Sequence, residues 1–166
     1  MPLTMYQSSI PVMLQMFGSL TAILDKAAAH CEARKIDPAV LVNYRLAPDM
    51  IPFSGQIQIM TDQAKGCAAR LAGIDIPSYA DTEKTFAELK ARIAKTADFV
   101  KSVTPDQVNG SEDREVVLKI GPTEYKLKGS QYFFAFFLPN FYFHATTAYD
   151  ILRHAGVEIG KRDFIG

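Results

Sequence analysis

Between residues 133 and 143 the chain carries Phe133, Phe134, Phe136, Phe137, Phe141, Tyr142 and Phe143 in a stretch that otherwise reads as helix. At about 100° per residue these rings project from every side of the helix, and a helix that is apolar all round has to be buried all round. The segment therefore needs other helices around it. Phe137, Phe141, His144, Ala148, Ile151 and Ala155 share one side, and Phe136 and Phe143 fall opposite that stripe. A four-helix bundle covers only part of each helix. A homodimer whose contact includes these helix-four aromatics is the expected source of the remaining cover.

Helices to surround it are legible upstream. A first long helix starts at Thr4, or at a Ser9 cap followed by Pro11, and runs to about Arg34 with Ile10, Leu14, Phe17, Leu20, Leu24, Ala27 and Ala28 on one stripe. Asp37-Pro38 repeats the start signal for a short helix to Tyr44. Beyond Pro48 and Pro52, the residues Phe53, Ile57, Met60, Ala64, Cys67, Ala68 and Leu71 hold one face of a second long helix until Gly73 supplies the stop. A third helix, capped by Asp81 or Thr82, carries Phe86, Leu89, Ile93, Ala97 and Val100 to about Val103. Thr104-Pro105-Asp106-Gln107 is a capping-box pattern that starts one extra turn. From Arg114 to Lys128 the period shifts to alternation around Gly121-Pro122, a hairpin signal. Ser130 then caps the last long helix, which runs to His154 with Pro139 as a kink and Gly156 at its end. The economical assembly is a mainly α, four-helix bundle with a small β-hairpin before the last long helix.

The 166 residues suit one domain over 1–166, and a 48% hydrophobic composition furnishes a core without external staples. Lys and Arg number 18 against 18 Asp and Glu, so no positive surplus exists to draw in nucleic acid or an anionic membrane. No apolar run reaches the roughly 18 residues needed to span a bilayer. Met1 to Ser9 has no Lys or Arg ahead of its apolar residues, unlike a secretory signal. Cys31 and Cys67 lie inside helical patterns and read as free, buried thiols. A cytoplasmic protein without nucleic-acid or membrane partners is expected.

Gly-rich phosphate loops, Cys-x-x-Cys, His-x-x-x-His and nucleophile elbows are all missing from the sequence. The chemistry concentrates inside the bundle. His144 points inward with Phe137 and Phe141, and Asn140 lies one turn earlier at the edge of the same side. On the second helix Gln56 and Gln63 stand beside the Phe53, Met60, Leu71 stripe, whereas Asp62 falls on the far, solvated face. Gln56, Asn140 and His144 are thus expected to meet as a polar cluster, with Met60, Gln63, Phe137 and Phe141 completing a pocket. His30 and His154 read as helix C-terminal residues that favour the dipole.

The run from Pro139 to Tyr149, the later Ile151-Leu152-Arg153-His154, the ending from Gly160 to Gly166 and Leu46-Ala47-Pro48-Asp49-Met50 together resemble domain-of-unknown-function family 1993. That resemblance covers nearly the whole chain and implies the DinB-like superfamily, an up-and-down four-helix bundle whose members are commonly dimers. It further implies a divalent-metal site of one histidine from the second helix and two from the fourth, used in thiol transfer, isomerisation or hydrolysis. Here His144 matches the second of the paired histidines, Asn140 takes the place of the first, and Gln56 is the best match on the second helix. Amide oxygens bind zinc or nickel less strongly than imidazoles, so no metal and no other cofactor is expected. Three readings stay open: a small-molecule transferase or hydrolase with His144 as catalytic residue, a non-catalytic dimer binding an unknown small molecule, and a structural module.

Overall fold

The computed structural model describes residues 3–166. The first helix, α1 (Met5–Arg34), begins at Thr4, whose hydroxyl accepts from the Gln7 amide while the Gln7 side chain accepts from the Thr4 amide. That reciprocal cap outcompetes a start at Ser9. Ser9 is buried inside the helix instead, donating to the Met5 carbonyl at 2.6 Å, and Pro11 is carried within the helix. Of the expected stripe, Ile10, Phe17, Leu20, Leu24 and Ala27 are buried, while Ala28 is exposed. α2 (Pro38–Val42) starts on the Asp37 cap and ends two residues before Tyr44.

α3 (Phe53–Ala72) stops at Gly73, which adopts a left-handed φ of 69° that a side chain would resist. Every residue of its expected stripe is buried. α4 (Phe86–Ser102) does not start at Asp81 or Thr82. Its cap is Thr85, with Glu88 closing a capping box, because Asp81 is drawn to Arg92. α5 (Pro105–Val108) is the extra turn, and β1 (Glu115–Ile120) pairs antiparallel with β2 (Thr123–Lys128) across Gly121-Pro122.

The last helical run starts at Gly129 rather than at a Ser130 cap. Ser130 directs both its amide and its hydroxyl to the Glu112 carbonyl, tying the run to the base of the hairpin. The run comprises α6 (Gly129–Gln131), a π-helical stretch (Tyr132–Phe137) and α7 (Leu138–His154). Pro139 sits in the first turn of α7, and the expected kink takes the form of the wider π turn before it. That turn changes the angular step between residues. Tyr132, Phe133 and Phe137 become fully buried, and Phe136, expected on the outer side, swings inward to stack on Tyr132 with ring centroids 6.0 Å apart. Phe143 remains outside at 60% exposure and Phe134 at 56%.

Around the bundle α1 lies against α4 and α7, and α3 lies against the same two helices. The connections from α1 to α3 and from α4 to α7 therefore cross the bundle ends diagonally, carrying α2, α5 and the hairpin. A final helix, α8 (Lys161–Ile165), folds back on α1, with Gln15 donating to the Ile165 carbonyl at 2.7 Å and Lys26 pairing with Asp163 at 2.7 Å. Among the described residues no helix is long and apolar enough to cross a membrane. Cys31 and Cys67 are free and buried, and burial raises the pKa of both thiols.

Candidate functional site

His144 is half-buried on α7 and faces α3, where Gln56 is buried. The Gln56 amide nitrogen donates to the Ile51 carbonyl at 3.0 Å, so its oxygen turns toward the ring and lies 2.8 Å from His144 Nδ1. An amide oxygen only accepts. The proton therefore sits on Nδ1, and Nε2 carries the free lone pair. Burial lowers the His144 pKa below the ordinary histidine value, which keeps the ring neutral at pH 7. The exposed Phe143 ring stands edge-on to it at 5.2 Å. The pair is a base fixed in one tautomer by the start of α3.

Asn140 does not join this pair through its amide nitrogen, which donates to the Phe136 carbonyl at 2.7 Å where the π turn passes into α7. Together with Gln63 it lines a cleft of about 550 Å³ between α3, the hairpin and the π turn, to which Arg70, Leu118, Ile120 and Phe136 contribute. His144 and Gln56 are not among the walls of that cleft. Met60, Phe137 and Phe141 are wholly buried, and the Phe133, Phe137 and Phe141 rings stack at 5.6 and 5.2 Å. A ligand held among those three would have to part a packed ring column. His154 ends α7 beside Tyr44, and His30 has a buried Nε2 without a hydrogen-bond partner.

On the side of α3 expected to be solvated, Asp62 keeps 41% of its side chain exposed, but its carboxylate is not free. α4 and the segment before it cover that side of α3, and the Asp62 carboxylate pairs with Arg92 at 2.7 Å and with Lys65. Arg92 is almost fully buried and satisfies its fork completely: Thr61 at 2.8 Å, the Ala80 carbonyl at 3.0 Å, Glu83 at 3.1 Å and Asp81 at 2.9 Å. Burial alone would raise the Glu83 pKa, but hydrogen bonds from Gln58, its own backbone and Arg92, with the guanidinium charge, outweigh it and lower the value. The Tyr79 ring lies under Lys65 at 4.5 Å and Lys95 at 4.1 Å. This network pins the extended strap before α4. One signal for it exists in sequence, since Arg92 falls between Leu89 and Thr96 on the buried side of α4.

A family model described as "Domain of unknown function (DUF1993)" matches residues 5–165. The chain belongs to the DUF1993 family. A crystal structure of a DinB family member from Shewanella denitrificans superposes with a TM-score of 0.88 at 37% identity, over 97% of this chain and 91% of that one. No curated protein matches. The DinB-like fold that the sequence resemblance implied is therefore the fold of this DUF1993 chain.

The three-histidine metal site implied with that fold does not fit the residues of this DUF1993 member. The position offers one imidazole and two amides, and the Gln56 oxygen already accepts from His144 while the Asn140 nitrogen already serves the Phe136 carbonyl. Only Nε2 of His144 is a good donor for zinc or nickel there. Among the described residues no group of three His, Cys, Asp or Glu side chains converges on a possible metal position. The chemistry of the site has to be derived from the imidazole itself.

Proposed function

We propose that this DUF1993 chain is an enzyme acting on a small molecule, a hydrolase or transferase in which His144 is the general base. The observation that carries the reading is the relay Ile51 carbonyl, Gln56 amide, His144 Nδ1, at 3.0 and 2.8 Å, because it leaves Nε2 as the one unprotonated nitrogen. An imidazole neutral at pH 7 can take a proton from water, a hydroxyl or a thiol as that group attacks, and return it to the leaving group. Gln56 supports the imidazolium that forms, since its carbonyl dipole faces Nδ1–H. The exposed Phe143 ring, edge-on to the imidazole, gives the site an apolar rim. A second copy of the chain, docked through the exposed Phe143 and Phe134, is the partner that goes with this reading, because it would shield the rim and with it the base from bulk water.

A panel of activated esters and of thiol-conjugation substrates, run with the wild type and His144→Ala, tests the assignment. The expected result is turnover that falls about 10²–10⁴-fold in the variant with helicity preserved. The kcat/KM of the wild type should rise with pH through one ionisation below the ordinary histidine value. Equal rates for the two proteins across the panel would leave a non-catalytic module.

A further inference from the structure

Arg70 is a cation that the His144 site does not use. It is half-buried in the last turn of α3, and its one hydrogen bond, from Nη1, goes to the Tyr132 hydroxyl at 3.3 Å. The guanidinium lies 5.6 Å from the Tyr132 ring centroid, which holds its plane in place. Among the described residues no carboxylate pairs with it; the one carboxylate of α3, Asp62, is taken by Lys65 and by Arg92 of α4. Gly66 makes its position possible. A Cβ at residue 66 would come within 2.6 Å of Arg70 Nη1 and would meet nothing else within 4 Å except the same guanidinium carbon. The chain thus keeps a glycine in mid-helix, at a cost in helix propensity, where the only atoms that gain from its bareness are those of Arg70.

Arg70 lines the cleft of about 550 Å³ described above, within the range of small-molecule sites. Besides Arg70, the walls combine three apolar side chains, Leu118, Ile120 and Phe136, with two amides, a second cation, Lys119, and the carboxylate of Asp62. Among the described residues the Gln63 side chain has no hydrogen-bond partner, and Asn140 commits its nitrogen to the Phe136 carbonyl, leaving its oxygen to accept. The Asp62 carboxylate, itself a wall of the cleft, is already shared by Arg92 and Lys65. It does not neutralise Arg70, but it disfavours a ligand of high negative charge.

We infer that this cleft is a binding site for a small monocarboxylate with an apolar body and an amide N–H, of the N-acyl amino acid type. The planar fork of Arg70 takes the carboxylate, Leu118, Ile120 and Phe136 take the apolar body, and the Asn140 oxygen takes the amide proton. Arg70 and Lys119 set against Asp62 leave the cleft with one net positive charge, which suits a monoanion better than a phosphate dianion. The site is independent of the general-base role of His144, because its test reads binding alone.

The probe is N-acetylphenylalanine, with N-acetylphenylalaninamide as the neutral twin, titrated into the full chain by calorimetry and by NMR of the Gln63 and Asn140 side-chain amides. The acid should bind and shift both amides, and the neutral twin should bind at least about tenfold more weakly, as expected for loss of a charge-assisted fork. Arg70→Gln should reduce binding of the acid to the level of the twin. Gly66→Ala keeps the charge but displaces the guanidinium, so it should weaken binding comparably while thermal stability holds or rises, which separates lost recognition from lost folding. No shift at 10 mM acid, an order-of-magnitude ceiling for specific small-ligand sites, would overturn the inference. So would equal affinity for acid and twin, or unchanged binding by Gly66→Ala.

Discussion

His144 shows how a single side chain acquires a role from its neighbours. Its ring is held by Gln56, and Gln56 is held by a main-chain carbonyl at the end of the preceding loop. Replacing Gln56 with Leu keeps the volume but strands Nδ1–H, a loss of about 1–3 kcal/mol by the usual cost of an unsatisfied buried donor. The pH dependence has a definite sign. Burial lowers the folded-state pKa of His144, so the unfolded chain takes up the proton first as acid is added. The corresponding stability is present above the unfolded value, near ~6.5, and is lost as pH falls through the folded value. Urea unfolding at pH 7.5 and 5.0 should therefore show a larger acid-induced loss in the wild type than in His144→Leu. Parallel losses would contradict the desolvated-imidazole account.

At the scale of elements, the most consequential pairing is between α3 and α4. Arg92 reads in sequence as one charged residue in an amphipathic helix, yet it bonds Thr61 on α3 and both Asp81 and Glu83 on the strap before its own helix. Arg92→Leu leaves both carboxylates without a cation, and Glu83 with only its hydrogen bonds from Gln58 and its own backbone. Because Asp62 and Asp81 are substantially exposed, the expected loss is about 2–4 kcal/mol, toward the lower end of a broken buried pair. Chemical denaturation gives the magnitude, and limited proteolysis should show new cleavage within residues 74–84 before global unfolding. The π turn works at the same scale: by widening one turn ahead of Pro139 it brings Phe136 onto Tyr132, and Asn140 then ties off the Phe136 carbonyl.

For the whole molecule the open question is what covers Phe143 and Phe134. Their exposure at 60% and 56% leaves two large rings uncovered, Phe143 edge-on to His144 and Phe134 against Phe133 farther up the run, in a chain whose other aromatic residues of that run are mostly buried. The proposed homodimer predicts a dimer mass by light scattering at micromolar concentration, and Phe143→Glu should shift it to monomer with helicity intact. A monomer mass for the wild type would remove the proposal. The α8 segment is a separate contributor, since it closes on α1 through Lys26 and Asp163 rather than on this face.

The sequence by itself determined the four long helices, the hairpin and the family, though not α8 or the π turn, because each of the former depends on a local period or motif: one apolar stripe per helix, alternation around Gly121-Pro122, and the C-terminal run that carries the family resemblance. The inward placement of His144 followed from the same periodicity. Only the tertiary structure decided which polar groups meet. Gln56 and His144 are 88 positions apart and pair, whereas Asn140, four residues from His144, turns its amide nitrogen to its own helix. The cap at Thr85 rather than Asp81, the ion pairing of the Asp62 carboxylate and the guanidinium of Arg70 left without a carboxylate are likewise outcomes of competition between elements for the same donors and acceptors. Periodicity tells a residue inside from outside, but it carries no term for which partner is within 3 Å once α3, α4 and α7 are packed together, and that is a property of the assembled bundle.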